Sequence, residues 1–163
     1  MSEEVTTMFR KLTRTKQQLS REECLDILKT EVRGVLAVLG DEEYPYALPM
    51  NFYYDEAADK IYFHSGKTGH KMDSLAKHHK VSFCVYDKGY HKAGHWSLNI
   101  RSVIIFGKIR PVKNWSANMM REFCKRYTTD MEYIEKEIEQ SSKNTAVLEL
   151  EIEHMTGKLV NEA

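Results

Sequence analysis

Apolar and polar residues alternate in several short runs separated by turn-forming residues, and this period of two dominates the chain. It predicts strands at 34–39 (GVLAVL), 45–54 (PYALPMNFYY), 60–64 (KIYFH) and 80–87 (KVSFCVYD). Two more fall at 100–110, within SLNIRSVIIFGKIRPV, and at 145–153, within TAVLELEIEHM. GDEE and DEAAD punctuate the early runs with the turn chemistry of tight antiparallel connections. Pro49 has no ladder donor, so the run 45–54 belongs at an edge or contains a local break.

Helical periodicity takes over in four places. In LSREECLDILK, Ser20 and Glu23 have capping-box spacing, and Leu19 is placed to staple against Cys24. HKMDSLAKHH sets Met72, Leu75, Ala76 and His79 on one face. WSANMMREFCKRYT and DMEYIEKEIEQ form a pair split near Asp130, which can cap the second helix. Met119, Met120, Phe123, Cys124 and Tyr127 make an apolar stripe that reads as core or dimer packing. Six strands with short connections do not make a βαβ series; they predict a mainly β fold, an antiparallel β-barrel with accessory α-helices. The expected organisation is an arm at 1–18, one domain at 19–160 and a tail at 161–163.

Composition narrows the classes. A chain of 163 residues with 42% hydrophobic residues can build one real core. With 24 basic and 24 acidic side chains, it has no net basic charge to recommend a nucleic-acid partner. The three cysteines lie far apart, each in an apolar pattern, and read as free thiols with no disulfide framework. MSEEVTTMFRKL carries no signal segment and no run is long enough to span a membrane, so a cytoplasmic protein is expected. His91 and His95 are four apart, but glycines at 89 and 94 argue against a shared helix and no third ligand is specified; no metal site is expected. His78 and His79 end a helix, where they can meet exposed carbonyls.

The stretch KIYFHSGKTGHKMDSL (60–75) carries the most chemistry. A strand runs into a glycine-containing polar loop and then a helix start, where unpaired amides favour an anion. Ser65 and Thr68 add neutral donors, and Lys67 and Lys71 add charge. On the residues alone, an ordinary helix start with solvated lysines competes with a phosphate site, since GKTG does not continue as a Walker motif. Arg101 interrupts an apolar strand and so requires a partner, either phosphate or an Asp or Glu across the interface.

YPYALPMNFYYD, KIYFHSGKTGHKMDSL, IRSVIIFGK and the late TGK (156–158) stand in an order and spacing that resemble a known superfamily. It is the FMN-binding split-barrel superfamily typified by pyridoxamine 5'-phosphate oxidase, and the nitroimidazole-resistance (Nim-like) branch is the most similar. The resemblance implies a homodimer holding FMN in a cleft made by both subunits. Pro49, Met50 and Asn51 would line the isoalloxazine, and Phe63, His64 and Ser65 would run beside the flavin toward its phosphate. His70 and Lys71 match the Arg-Lys pair that grips phosphate in the oxidases, and Ser102, after Arg101, matches the Gln of their RQV motif. Tyr46 stands where the oxidases place a further phosphate-binding Arg, and His70 cannot form a guanidinium fork. The ending EIEHMTGKLVNEA lacks their Arg- and Pro-containing segment, so vitamin B6 oxidation is not expected.

The function implied is a flavin-dependent oxidoreductase that takes electrons from NAD(P)H and passes them to a small planar acceptor, with nitroimidazoles and other nitroaromatics as the model. His64 is the candidate proton donor, and Trp96 the candidate to cover a planar substrate. Two alternatives stay open: a flavin-binding or redox-responsive protein without turnover, and a haem-binding relative. The deazaflavin F420 also competes with FMN for the same cleft.

Overall fold

The computed structural model describes residues 9–141 and 143–162. Residues 1–8 of the expected arm and residue 163 of the expected tail lie outside the described residues. In chain order the elements are α1 (Arg21–Thr30), β1 (Arg33–Leu39), β2 (Pro45–Asn51), β3 (Tyr53–Asp55), β4 (Lys60–Gly66) and α2 (His70–Lys77). There follow β5 (Lys80–Tyr86), β6 (Tyr90–His91), β7 (Leu98–Val112), α3 (Ala117–Lys125), α4 (Met131–Ser141) and β8 (Thr145–Glu162).

The strands form one sheet in the order β2-β1-β5-β7-β8-β4-β3, with β6 paired to β7. Every pairing is antiparallel. Curling brings the two ends of this path toward each other, giving a half-barrel with flanking helices. β2 and β3 are consecutive in sequence yet occupy opposite edges of the sheet. The expected strand at 45–54 is therefore two strands broken at Phe52, where the chain steps across the split. Phe52 is fully buried, packed edge-on to Phe83, so the crossing is anchored in the core. Pro49 does lie on an edge strand, opposite Val35 of β1.

Period-two alternation decides which side chains fill the interior. Along β7, Val103, Ile105 and Ile109 point inward and are buried, while Ile104 and Phe106 point outward. β8 runs beyond the expected 145–153 because its second half continues to pair with β7, as far as Glu162 against Leu98. α1 covers the interior at one end, with Cys24, Ile27 and Leu28 buried. Its capping box forms as the spacing predicts: Glu23 N donates to Ser20 Oγ at 3.2 Å, and Ser20 N donates to Glu23 Oε2 at 2.7 Å. Gly157 is the seat of this helix start, since its carbonyl accepts from Leu19 N at 3.0 Å. Any Cβ at Gly157 would collide with Cys24 Sγ and sit 3.0 Å from Leu19 Cβ. Cys24 is a buried free thiol, and Cys84 and Cys124 are half-buried ones.

α3 and α4 form a separate layer over the outer face of β4 and β8, where Met120 and Phe123 pack on Tyr62 and Val147. Asp130 caps α4 by accepting from Tyr133 N at 3.0 Å. Two residues just after α3 fasten this layer to the barrel. Arg126 donates to the Leu28 and Glu31 carbonyls at the end of α1 and lies over the Phe52 ring. The Tyr127 hydroxyl donates to the Val32 carbonyl at 2.7 Å and accepts from Phe52 N at 3.1 Å. α2 stops at Lys77, so its buried face is Ser74 and Leu75; Ala76 and His79 are exposed, contrary to the face expected for it. Among the described residues no helix is long and apolar enough to cross a membrane.

Candidate functional site

The 64–71 loop lies at the end of β4 and opens α2, as its sequence suggests. Gly69 is the residue before the helix, at φ +113°, and no side chain caps the first turn. A Cβ at Gly69 would meet nothing within 4 Å, so the chain before the helix is open to solvent on that side. Beside them Lys71 is half-buried, its Nζ 3.5 Å from Met50 Sδ, with no carboxylate partner among the described residues. Burial holds its pKa below the ordinary lysine value. Lys67, by contrast, donates to the Lys143 carbonyl at the turn before β8. Ser65 Oγ donates to the neighbouring Gly66 carbonyl at 2.9 Å. His64 lies on the outward face of β4 with its ring 4.8 Å from that of Phe123. Desolvation and then the Lys71 charge lower its pKa from the usual imidazole value, which favours the neutral ring.

The other residues expected here divide. Met50 reaches the loop through its sulfur but is itself core. Asn51 is half-buried and Pro49 exposed, both on the free edge of the sheet. Phe63 is fully buried, edge-on to Phe83, so only its backbone can border a ligand. His70 does not stand with Lys71 as an anion clamp. Its ring stacks on Tyr46 at 4.2 Å, and its Nε2 lies 3.4 Å from Asp41 N and 3.6 Å from Asp41 Oδ2. The two departures from the oxidase pattern, Tyr46 and His70, are thus partners in one stacked pair.

Arg101 is likewise engaged within the chain. It shares the inward parity of Val103, and its Nε donates to Asp87 Oδ2 at 2.8 Å while Nη1 reaches Asp26 Oδ2 at 3.2 Å. Burial opposes the Asp87 charge, but hydrogen bonds from the Arg101 side chain and backbone and from Gly89 N outweigh it and hold the carboxyl below its usual pKa. The partners seen are carboxylates of the same chain, where the sequence had offered phosphate or a carboxylate across the interface. Ser102 faces the opposite side of β7, half-buried. Trp96 is 80% exposed on the segment before β7.

A feature the sequence did not reveal adjoins the loop. α3, α4 and the start of β8 enclose a cavity of about 500 Å³ against His64, Ser65 and Gly66. Trp115, Met120, Cys124 and Glu137 contribute to its wall. The stripe expected to be wholly packing therefore splits: Phe123 is buried, while Cys124 faces the cavity. Burial and then the Glu137 charge raise the Cys124 pKa, which keeps it a neutral thiol.

The curled antiparallel sheet with its flanking helices defines a split barrel of the FMN-binding type. The chain matches the pyridoxamine 5'-phosphate oxidase family over residues 20–159 and belongs to that family. No curated protein matches it. Solved structures with the same fold include a candidate 5-nitroimidazole antibiotic resistance protein from Bacteroides thetaiotaomicron, at 21% identity and TM-score 0.71, covering 88% of this chain and 87% of that one. An FAD-binding protein from Mycobacterium smegmatis aligns at 20% identity and TM-score 0.59, over 88% of this chain and 98% of its own. An FAD- and heme-binding protein from the same organism aligns at 21% and 0.63, over 90% and 74%. At these identities the likeness establishes the fold.

Proposed function

We propose that this protein holds FMN with its phosphate on the 64–71 loop and works as a flavin-dependent oxidoreductase. Lys71 carries the reading. A desolvated ammonium without a carboxylate is costly unless an anion completes it, and it stands beside an uncapped helix start that also favours one. The fit is to a phosphate: the loop offers backbone amides, the Ser65 and Thr68 hydroxyls and one unpaired cation, while His70 and Arg101 are engaged elsewhere. Pro49 and Asn51, on the free edge of β2, would border the isoalloxazine, and Ser102 would stand where the family's glutamine does. FMN, when bound, supplies the electron-transfer chemistry. The chain supplies position, and His64, whose lowered pKa favours the neutral ring, holds a ring proton beside the loop.

NAD(P)H is the proposed donor, and a small planar nitroaromatic the proposed acceptor. The fold shared with the Bacteroides candidate resistance protein supports trying nitroimidazoles first. The active form is proposed to be a homodimer. Its support is the outward face of the sheet, where Ile104 and Phe106 are each 41% exposed and Tyr86 57%.

The absorption spectrum of the untreated purified protein tests the cofactor, and the mass of the released group separates FMN from FAD or a deazaflavin. A Soret band would favour haem. A colourless protein that takes up no FMN overturns the proposal. Anaerobic NAD(P)H should bleach the flavin and a nitroimidazole restore it; bound FMN without turnover would leave a flavin-binding, redox-responsive protein. Light scattering should give twice the chain mass.

A further inference from the structure

The cavity beside the loop is built largely from residues that the flavin reading does not use. Trp115, Met120 and Ile138 give it an aromatic and aliphatic wall. Glu137 is the carboxylate of the lining, steadied by a 3.1 Å hydrogen bond from Ser141 Oγ. His64 closes the side toward the cofactor loop. Lys67 is held at the rim by the Lys143 carbonyl and is not part of the lining. A volume of about 500 Å³ falls within the roughly 300–1,000 Å³ of small-molecule pockets.

We propose that this cavity binds the electron acceptor, and that it selects a flat aromatic ring bearing a cationic or N–H donor group over an anionic one. Trp115 offers a face for the ring, Met120 and Ile138 exclude water around it, and Glu137 accepts from the donor group. An anionic substituent would be driven against a carboxylate in a partly desolvated space, which is penalised. Because His64 borders both the cavity and the loop, a ring seated here lies next to the proposed flavin site. The inference deepens the flavin reading by naming the acceptor class, but its test does not depend on turnover. It also moves the substrate-covering role from Trp96, which is largely in solvent, to Trp115.

The test uses the oxidised, FMN-supplied protein without reductant, titrated by calorimetry with 4-nitrobenzylammonium and with 4-nitrobenzoate. The cation should bind at least tenfold more tightly. Glu137→Gln should bring the two within about threefold of each other, and Trp115→Ala should weaken the cation about tenfold. Trp96→Ala should change neither, and FMN affinity should stay within about twofold in all three variants. Equal affinity for the two probes, no binding of either, or loss on Trp96→Ala with Trp115→Ala silent would each overturn the proposal. A parallel loss of FMN in the Trp115 or Glu137 variant would also overturn it, by showing that the cavity holds the flavin itself. If the protein takes up no FMN, the flavin reading fails, but the same probe titration still decides whether this cavity selects cationic rings. Circular dichroism on each variant confirms folding.

Discussion

Replacing Lys71 by Met should move cofactor affinity and apo-protein stability in opposite directions. The methionine keeps an unbranched apolar stem against Met50 while removing the charge. A charge-assisted hydrogen bond to phosphate contributes about 1.5–3 kcal/mol, so the FMN dissociation constant should rise about tenfold to a hundredfold. The amides of the first turn of α2 and the Ser65 hydroxyl remain, so binding should weaken but not vanish. Without FMN the ammonium is half-buried and unpaired, and removing it relieves desolvation. Apo K71M should therefore melt at or above the wild-type temperature. The sign with pH follows from the lowered folded pKa: the unfolded chain binds this proton more tightly. Wild-type apo-protein thus gains stability as pH rises toward the unfolded lysine value of about 10.4, a gain the variant lacks. Fluorescence titration of apo-protein at fixed ionic strength and thermal melts from neutral pH to about 10 read both effects. Lys67→Ala is the control, because its ammonium is already engaged with a carbonyl and its loss should alter FMN affinity by no more than about threefold. Unchanged affinity in K71M, with K67A severely impaired, would refute the phosphate assignment. A marked loss of apo stability in K71M would refute the unpaired-charge argument.

Asp87→Asn should lower stability at pH 7 and flatten the acid limb of the stability profile. The depressed carboxyl pKa contributes stability above the unfolded value of about 3.9 that is lost as pH falls through the folded one; denaturant melts from pH 7 to 3 check this. Gly157→Ala should cost about 1–3 kcal/mol through overpacking against Cys24 and Leu19, and Cys24→Ala in the same chain should restore part of the loss, measured as a double-mutant cycle. Tyr127→Phe should cost about 1 kcal/mol in denaturant melts, the low end for a lost buried partner because Phe52 N also reaches the Val32 carbonyl at 3.3 Å.

Features set by a few neighbouring residues could be read from the sequence. The Ser20–Glu23 box and the Asp130 cap each need only a three-residue spacing, and both form. Pro49 announced an edge because its missing donor is intrinsic to it, and Arg101 announced a partner because a charge in an apolar strand needs one. The identity of that partner could not be read. Asp26 is 75 positions away in sequence, and only the packing of α1 over the barrel end brings it there. The break at Phe52 was hidden for the same reason. Apolar and aromatic residues continue through 52–54, and nothing local says that β3 pairs with β4 while β2 pairs with β1. His70 was read by its place in a motif, and its stacking on Tyr46 depends on the distance between α2 and the β1–β2 turn. Trp115 and Glu137 meet only because α3 folds back on α4.

Phe52 also explains how a helical layer outside the barrel can register with the 45–51 segment. Asn51 precedes Phe52 directly, and Met50, one residue further back, touches Lys71. Phe52 N and O are both within hydrogen-bond distance of the Tyr127 hydroxyl, and the Arg126 guanidinium covers its ring at 5.2 Å. Arg126 and Tyr127 in turn follow α3, which supplies Met120 and Cys124 to the cavity. One buried aromatic residue is thereby tied both to the edge strand proposed to border the flavin and to the helix that walls the proposed acceptor pocket. The crossing cannot shift without breaking backbone hydrogen bonds that have few substitutes in the core. The two proposed sites are thereby joined through one buried residue although their residues come from opposite layers.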